Sequence, residues 1–393
     1  MAGRIERAGR KLLTAVVRRL LPARGGEAWE AMERDPERIL VVRSDDRIGN
    51  LVLMKPLLAG LRELWPEAEI SVLLGPKFPR LYQEEPEVDR LWILEKRRIL
   101  RNPVLLFRFI RALRRARFDM ALDASHMHSF SLTGAALVWF SAAPIRVAYD
   151  REHAGSFCNL LVEPLRAEHH EADILLNLLR PFTPELPHAP MRLQLTEEET
   201  AAARDLRFGR IPGGEGVVVG LHVGGRGRKR WPLERWEALI STIGELYEIG
   251  IVVLCGPGEE EEAARLRRNL GDSVAVFDDL DLRGMMALVG TCDFFITPDT
   301  GPLHVAVALD VPTVAVFLEK TWIRYGPRGP KHRTVFATPV NGEEKVLEAF
   351  AALVAERYRD APPADADEAA RSGTGGAGDD PGHAAEGGKA GPA

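Results

Sequence analysis

Ile39-Leu-Val-Val-Arg-Ser-Asp-Asp-Arg-Ile-Gly-Asn50 is a short β-rich apolar run that empties into a polar loop with a glycine near its end. So brief an apolar run, bounded by a turn, reads as a buried strand. Leu51 to Leu64 follows as a helix stopped by Pro66, and Glu69-Ile-Ser-Val-Leu-Leu74 is a second strand. Strand, loop, helix, strand is the repeating unit of a parallel α/β sheet. Asp119-Met-Ala-Leu-Asp123 extends the series. Between them, Lys96 to Arg117 is a basic helical stretch. Its apolar face is Leu105, Leu106, Phe109, Ile110 and Leu113, and it also carries Arg101, Arg108, Arg111, Arg114 and Arg115. That charged side suits either a solvated covering helix or a surface turned to lipid or phosphate.

The pattern restarts at Gly216. Val217-Val-Val-Gly-Leu-His222, Ile251 to Cys255, Val274 to Phe277, Phe294 to Thr297 and Thr313 to Phe317 read as strands. Leu233 to Tyr247, Glu259 to Asn269 and Leu303 to Leu309 read as helices. Two such blocks imply two Rossmann-like domains facing across a cleft. The expected division is a basic extension over 1–36, an N-terminal domain over 37–185, a linker over 186–215 holding a short helix, a C-terminal domain over 216–358 and a tail over 359–393. The last helix of the C-terminal domain is free to pack back on the first domain. Basic and apolar residues alternate from Arg4 to Leu21. That spacing makes an amphipathic helix, lying either on an anionic membrane surface or on its own domain. From Asp360 onward, seven acidic residues stand against two basic ones, with no aromatic among them, so this segment buries no core.

With 393 residues and 46% apolar content, two cores are affordable. A net charge of −5 argues against a nucleic-acid binder, and the segment from Asp360 onward carries all of it. Cys158, Cys255 and Cys292 are widely spaced, which suggests neither a disulfide framework nor a zinc site and fits a reducing cytoplasm. No His, Asp or Glu cluster has ligand spacing, so no metal is expected. Apolar runs fall short of the roughly 20 residues that cross a bilayer, and Arg18 and Arg19 interrupt the N-terminal stretch where a signal peptide would be apolar.

Four loops follow strands and so face the cleft. In Thr297-Pro-Asp-Thr-Gly-Pro-Leu-His304, Pro298 ends the strand and the turn opens a helix whose first amides can hold an anion. Asp299 or Thr300 serves equally well as a plain N-cap. His222-Val-Gly-Gly-Arg-Gly-Arg-Lys-Arg-Trp-Pro232 has three glycines and four cations, the composition of a pyrophosphate cradle or of a solvated basic loop; a tryptophan beside proline argues for the former. Gly256 to Glu262 opens a helix with acids, which either cap it or accept ribose hydroxyls. Arg43 to Asn50 offers Asp45 and Asp46 as general bases, Arg47 as an anion contact and Gly49 at the turn.

Asp-Arg-Ile-Gly before an apolar helix with Pro56, Lys-Arg-Trp-Pro with a later Trp236, and Asp-Thr-Gly-Pro-Leu-His, in that order across about residues 38 to 350, together resemble glycosyltransferase family 9, the ADP-heptose:lipopolysaccharide heptosyltransferase family. The resemblance implies an α/β GT-B fold and inverting transfer of a heptose or related sugar from an ADP-sugar to a lipid-linked glycan at the inner face of the cytoplasmic membrane, with no metal or other cofactor. It places Lys229 on the donor phosphates with Gly224 and Gly225 beside them. Glu260, with Glu259 next to it, falls near the adenosine ribose, and Asp299, Thr300, Gly301 and His304 around the donor sugar and pyrophosphate. In one place the sequence departs from the family: its characterised members carry Gly-Asp where this chain has Gly49-Asn50, and an amide takes up no proton at neutral pH. Asp46, just ahead of Arg-Ile-Gly, is therefore the expected base and Asp45 a turn residue. Another nucleotide-sugar enzyme on the same fold, such as an epimerase, and an inactive nucleotide-sugar or glycan-binding homologue are the rival expectations.

Overall fold

The computed structural model describes residues 32–166 and 168–360. Most of the basic extension and nearly all of the tail lie outside the described residues. The elements, in chain order, are β1 (Arg38–Arg43), α1 (Ile48–Val52), α2 (Lys55–Leu64), β2 (Glu69–Leu74), β3 (Arg90–Ile93), α3 (Lys96–Arg101), α4 (Pro103–Arg115), β4 (Met120–Asp123), α5 (Leu132–Phe140), β5 (Ile145–Tyr149), β6 (Leu160–Val162) and α6 (Glu171–Leu176). After these come α7 (Glu197–Arg210), β7 (Val218–His222), α8 (Leu233–Leu246), β8 (Gly250–Leu254), α9 (Glu260–Leu270), β9 (Ala275–Phe277), α10 (Leu282–Thr291), β10 (Phe294–Pro298), α11 (Gly301–Ala308), β11 (Thr313–Phe317), α12 (Trp322–Tyr325), β12 (His332–Phe336) and α13 (Glu343–Asp360).

They form two six-stranded sheets, ordered β3-β2-β1-β4-β5-β6 and β12-β11-β10-β7-β8-β9, and every pairing is parallel. Each sheet is doubly wound: the chain starts at a central strand, builds to one edge and returns to build to the other, which sets a topological switch point between β1 and β4 and between β7 and β10. The central strands β4, β7, β8, β10 and β11 are buried along their whole length because helices cover both faces. That is why they appear in the sequence as continuous apolar runs.

The strands that the sequence left unread are β3, β5, β6 and β12. β3 and β12 are sheet edges and carry Arg90, His332 and Arg333 on partly exposed positions; β6, at the third edge, is three residues long. β5 hides Arg146 at its second position, where the guanidinium donates to the carbonyls of Ala143 and Phe157.

Two expected helices are each divided in two at a proline. Pro56 lacks the N–H that Val52 would need, so α1 ends at Val52 and α2 begins at Lys55. Pro103 holds Asn102 extended, at φ −130° and ψ 101°, and the Asn102 side chain then caps α4 by accepting from the amides of Val104 and Leu105. The helix expected within the linker is α7, opened by a capping box between Thr196 and Glu199.

The two sheets share a core. Val305 and Ala308 of α11 and Met286 of α10, all from the second half, belong to the same buried cluster as Ile39, Val41, Leu51 and Leu57 of the first. At the contact, a methyl group placed on Gly301 would come within 1.9 Å of Ile48 Cγ2, and one on Gly49 within 2.6 Å of the His304 ring. Only glycine permits α1 and α11 to approach so closely. Midway along α13, Phe350 packs edge-on against Tyr247 and Phe294, both of the second half.

Candidate active site

The C-terminal ends of β7 and β10 carry the two glycine-containing loops read from sequence. After β7, Gly224 donates its amide to Nδ1 of His222 at 2.8 Å. This puts the ring's single proton on Nε2, and burial pushes the imidazole down to about 4, so the ring is neutral at neutral pH. A methyl on Gly224 would lie 2.3 Å from the buried His222 ring, so the glycine is required by close approach. Gly225 lies against the backbone of Lys229 and Arg230.

Arg226 and Arg228 point into solvent, whereas Lys229 turns inward. Its Nζ is 2.5 Å from Asp299 Oδ2, and it sits 5.5 Å from the centre of the Tyr325 ring. Thr321 Oγ1 donates to the same Asp299 oxygen at 3.0 Å. Thr300 occupies the N-cap of α11 without capping it: its hydroxyl donates to Pro298 O at 3.3 Å instead. The first-turn amides of α11 therefore have no side-chain partner and remain open to an anion. His304, one turn in, is buried, and desolvation outweighs the neighbouring Asp299 carboxylate and pushes it down to about 4.

Trp231 is not a ligand-facing ring. It is buried against Trp236 with centroids 5.0 Å apart, and its indole N–H donates to Thr338 O at 3.0 Å. It anchors the loop that presents Lys229. Of the two acids opening α9, Glu259 is the one at the glycine loop and accepts from the Gly256 amide at 2.7 Å. Glu260 is exposed and accepts from Gly258 at 2.9 Å. The structure thus brings Gly224, Gly225, Lys229, Asp299, Thr300, Gly301 and His304 to neighbouring loops, while Glu260 stands outside them.

Across from these loops, the loop after β1 points its two adjacent aspartates in different directions. Asp45 pairs with Arg43 at 2.7 Å, accepts from the Arg47 amide at 3.3 Å and from Asn50 Nδ2 at 3.1 Å. Asp46 points toward β2: its Oδ1 would be 2.0 Å from a methyl on Gly75 and is 3.5 Å from the Lys77 amide. Among the described residues it has no ion-pair partner.

A second group of residues was missed in the sequence. Nε2 of His126 is 2.9 Å from Asn50 Nδ2 and 3.3 Å from an Arg43 nitrogen. Arginine can only donate, so Nε2 accepts and Nδ1 carries the proton to Glu171 Oε1 at 3.0 Å. Glu171 is fully buried; burial would raise its carboxyl, but the His126 hydrogen bond and the charges of Arg324 and Arg43 outweigh that and hold it at about 2. Arg324, from the second half, reaches Glu171 Oε2 with Nε at 2.7 Å and a terminal nitrogen at 2.5 Å. Beside it, His170 Nε2 donates to Gly326 O at 3.1 Å and Arg328 pairs with Asp173. His126 does follow a strand end, which is a signal the sequence holds. Glu171 follows no strand directly, and nothing local marks it.

Among the described residues no group of three or more His, Cys, Asp or Glu is placed to hold a metal ion.

The sequence pattern of glycosyltransferase family 9 (heptosyltransferase) matches residues 106–349. Lipopolysaccharide heptosyltransferase 1 of Escherichia coli strain K12 is 25% identical over 307 residues, covering 75% of this chain and 89% of its own length. The crystal structure of the glycosyl transferase family 9 protein from Veillonella parvula superimposes with a TM-score of 0.72 at 21% identity, over 81% of this chain and 98% of that one. An E. coli heptosyltransferase solved with ADP-2-deoxy-2-fluoro heptose gives 0.61 at 23% identity, over 81% and 99%. The two-sheet architecture of this chain is that of these enzymes.

Proposed function

The chain belongs to glycosyltransferase family 9, and from that premise we propose that it moves a heptose or closely related sugar, with inversion, from an ADP-sugar to a lipopolysaccharide-core-type acceptor. The observation that carries this reading is the position of Lys229. Its ammonium is held inward beside Asp299, next to the uncapped first turn of α11, at the C-terminal ends of parallel strands. A diphosphate there meets a cation and a row of backbone donors, which together stabilise the negative charge that develops as the glycosidic bond to the phosphate breaks. An ADP-sugar is the donor class found in the heptosyltransferase relative described above.

The first half supplies the acceptor side. The acceptor hydroxyl must lose a proton as it attacks the anomeric carbon from the face opposite the departing ADP. Asp45 is already committed to Arg43 and Asn50, whereas Asp46 retains a carboxylate without an ion-pair partner among the described residues, and we assign it as the base. His126 and Glu171 then act as positioning residues: they fix Asn50 and, through Arg324, tie the acceptor half to the loop beside Lys229. Lys229 and the α11 amides do the work at the diphosphate that a divalent ion would otherwise do, so EDTA should leave the rate unchanged.

A second reading has one specific observation in its favour. Asn50 donates where a carboxylate would accept, which suits a nucleotide-sugar-binding protein that no longer transfers. The test is transfer from ADP-heptose to lipopolysaccharide truncated before its heptoses, followed by ADP release and by the mass of the acceptor. Gain of one heptose on the acceptor supports the enzyme. Tight ADP-heptose binding with no gain in mass supports the binding protein, and failure to bind either would defeat both readings.

A further inference from the structure

Helices α3 and α4 present a surface that the transfer reaction does not use. Between Lys96 and Phe118 there are nine basic residues and no acidic one. On α4 the inner side is Leu106, Phe109 and Leu113, packed into the core under β1 and β4. The outer side carries Val104 and Phe107, which are 65% and 64% exposed, followed one to three turns on by Arg108, Arg111, Arg114 and Arg115. Both apolar side chains fall at the N-terminal end of this outer stripe and the guanidinium groups spread along the rest of it.

Arg108, Arg111 and Arg115 also line a shallow cavity of ≈ 510 Å³ with Arg90 and Trp92. Arg90 lies over the Trp92 ring and 3.9 Å from Glu69, and among the described residues that carboxylate is the one acid paired with the cavity's cations. Among the described residues, Arg108, Arg111 and Arg115 form no ion pair. Three unpaired guanidinium groups around one hollow would ordinarily repel one another, so the arrangement is suited to an anion with several oxygens.

We propose that the outer face of α4, with the arginine-lined hollow beside it, docks the protein on an anionic phospholipid bilayer, the hollow taking a phosphate headgroup and Phe107 and Val104 entering the headgroup layer. Isolated exposed apolar residues need no explanation, but a phenyl ring and a valine at the end of a stripe of cations match the chemistry of that boundary: acyl chains within, phosphates above. The chain's overall charge of −5 does not oppose this contact, because screening at about 8 Å confines the interaction to the charges on the face itself. No helix among the described residues is long and apolar enough to cross a membrane, so the contact is with the surface.

The test uses the full chain and sedimentation with vesicles. The wild type should bind phosphatidylglycerol–phosphatidylethanolamine vesicles and ignore phosphatidylcholine ones. Each cation removed should cost about fivefold in partitioning, so the combined Arg108→Gln, Arg111→Gln and Arg115→Gln variant should bind about a hundredfold more weakly. Phe107→Ser should keep the lipid preference but lose most of the binding that survives high salt. Both variants are on the surface and should retain wild-type affinity for ADP and wild-type melting temperature, which separates this test from that of sugar transfer. Wild-type binding by the triple variant would overturn the proposal and point to another segment, such as the basic stretch from Arg4 to Arg19. Absence of binding by the wild type, or equal binding to both vesicle types, would overturn it as well.

Discussion

Asn50 donates a side-chain amide proton to Nε2 of His126 at 2.9 Å, and its other amide proton goes to Asp45 at 3.1 Å. The amide thus bridges two acceptors that a carboxylate would repel or compete with. Asn50→Asp replaces that donor with a second carboxylate beside Asp45, so both hydrogen bonds are lost and like charges face each other. The expected result is a lower melting temperature in the variant, with ADP affinity unchanged. An unchanged melting temperature would show that the bridge contributes nothing to stability.

Asp46→Asn should abolish transfer. Loss of a general base typically costs about 10²–10⁴ in rate with little effect on ground-state binding. Single-turnover transfer and ADP calorimetry on Asp46→Asn and Asp45→Asn make the comparison. Asp45→Asn should chiefly lower stability, since it leaves the fully buried Arg43 without its carboxylate. If Asp46→Asn keeps wild-type turnover, the proton leaves by another route.

Lys229→Ala should weaken ADP binding by roughly ten- to a hundredfold, the usual range for a lost hydrogen bond to a charged group. Arg228→Ala, one residue away but pointing into solvent, should change it far less. Equal affinities of wild type and Lys229→Ala by calorimetry would remove Lys229 from the donor site.

Gly301→Ala drives a methyl into Ile48 Cγ2 at the contact between α1 and α11. Overpacking of this kind costs about 1–3 kcal/mol. The melting temperature should fall, and Ile48→Ala in the same chain should recover part of it by making room. No recovery in the double variant would mean that the strain is relieved elsewhere.

Stability should fall in mild acid, before the buried carboxylate titrates. Burial pushes His170, with Arg328 adding to the effect, and likewise His222 and His304 down to about 4. In the unfolded chain they titrate near about 6.5. Between these values the unfolded state binds more protons, so the stability they contribute is complete above about 6.5 and is lost as pH falls toward about 4. Glu171 has the opposite chemistry and the same sign: held at about 2, its contribution is present above its unfolded pKa and fades only at lower pH. Calorimetric melting temperature against pH should therefore drop through the histidine window. His170→Gln, which can still donate to Gly326, should flatten that drop; an unchanged slope would take His170 out of the account.

The sequence by itself determined the two parallel sheets, the strand-end loops and the residues those loops carry. Each of these is written in neighbouring positions. A strand covered on both faces must be an apolar run, as at Val218–His222 and Phe294–Pro298, and a helix that opens at a strand end needs its glycine or proline within a few residues. Lys229 and Asp299 were legible for that reason, although nothing local shows that they pair. What only the tertiary structure decided are relationships between residues distant in the chain: Asn50 with His126, His126 with Glu171, Glu171 with Arg324, Gly301 with Ile48. It also decided which of two adjacent aspartates faces Asn50 and which faces Gly75, and it buried Trp231 against Trp236, where the sequence took a tryptophan beside proline only as support for a pyrophosphate cradle. The reason is physical. Periodicity along the chain specifies which side of an element is buried, but the partner it meets is fixed by packing two sheets onto one shared core, and that information is spread over both halves.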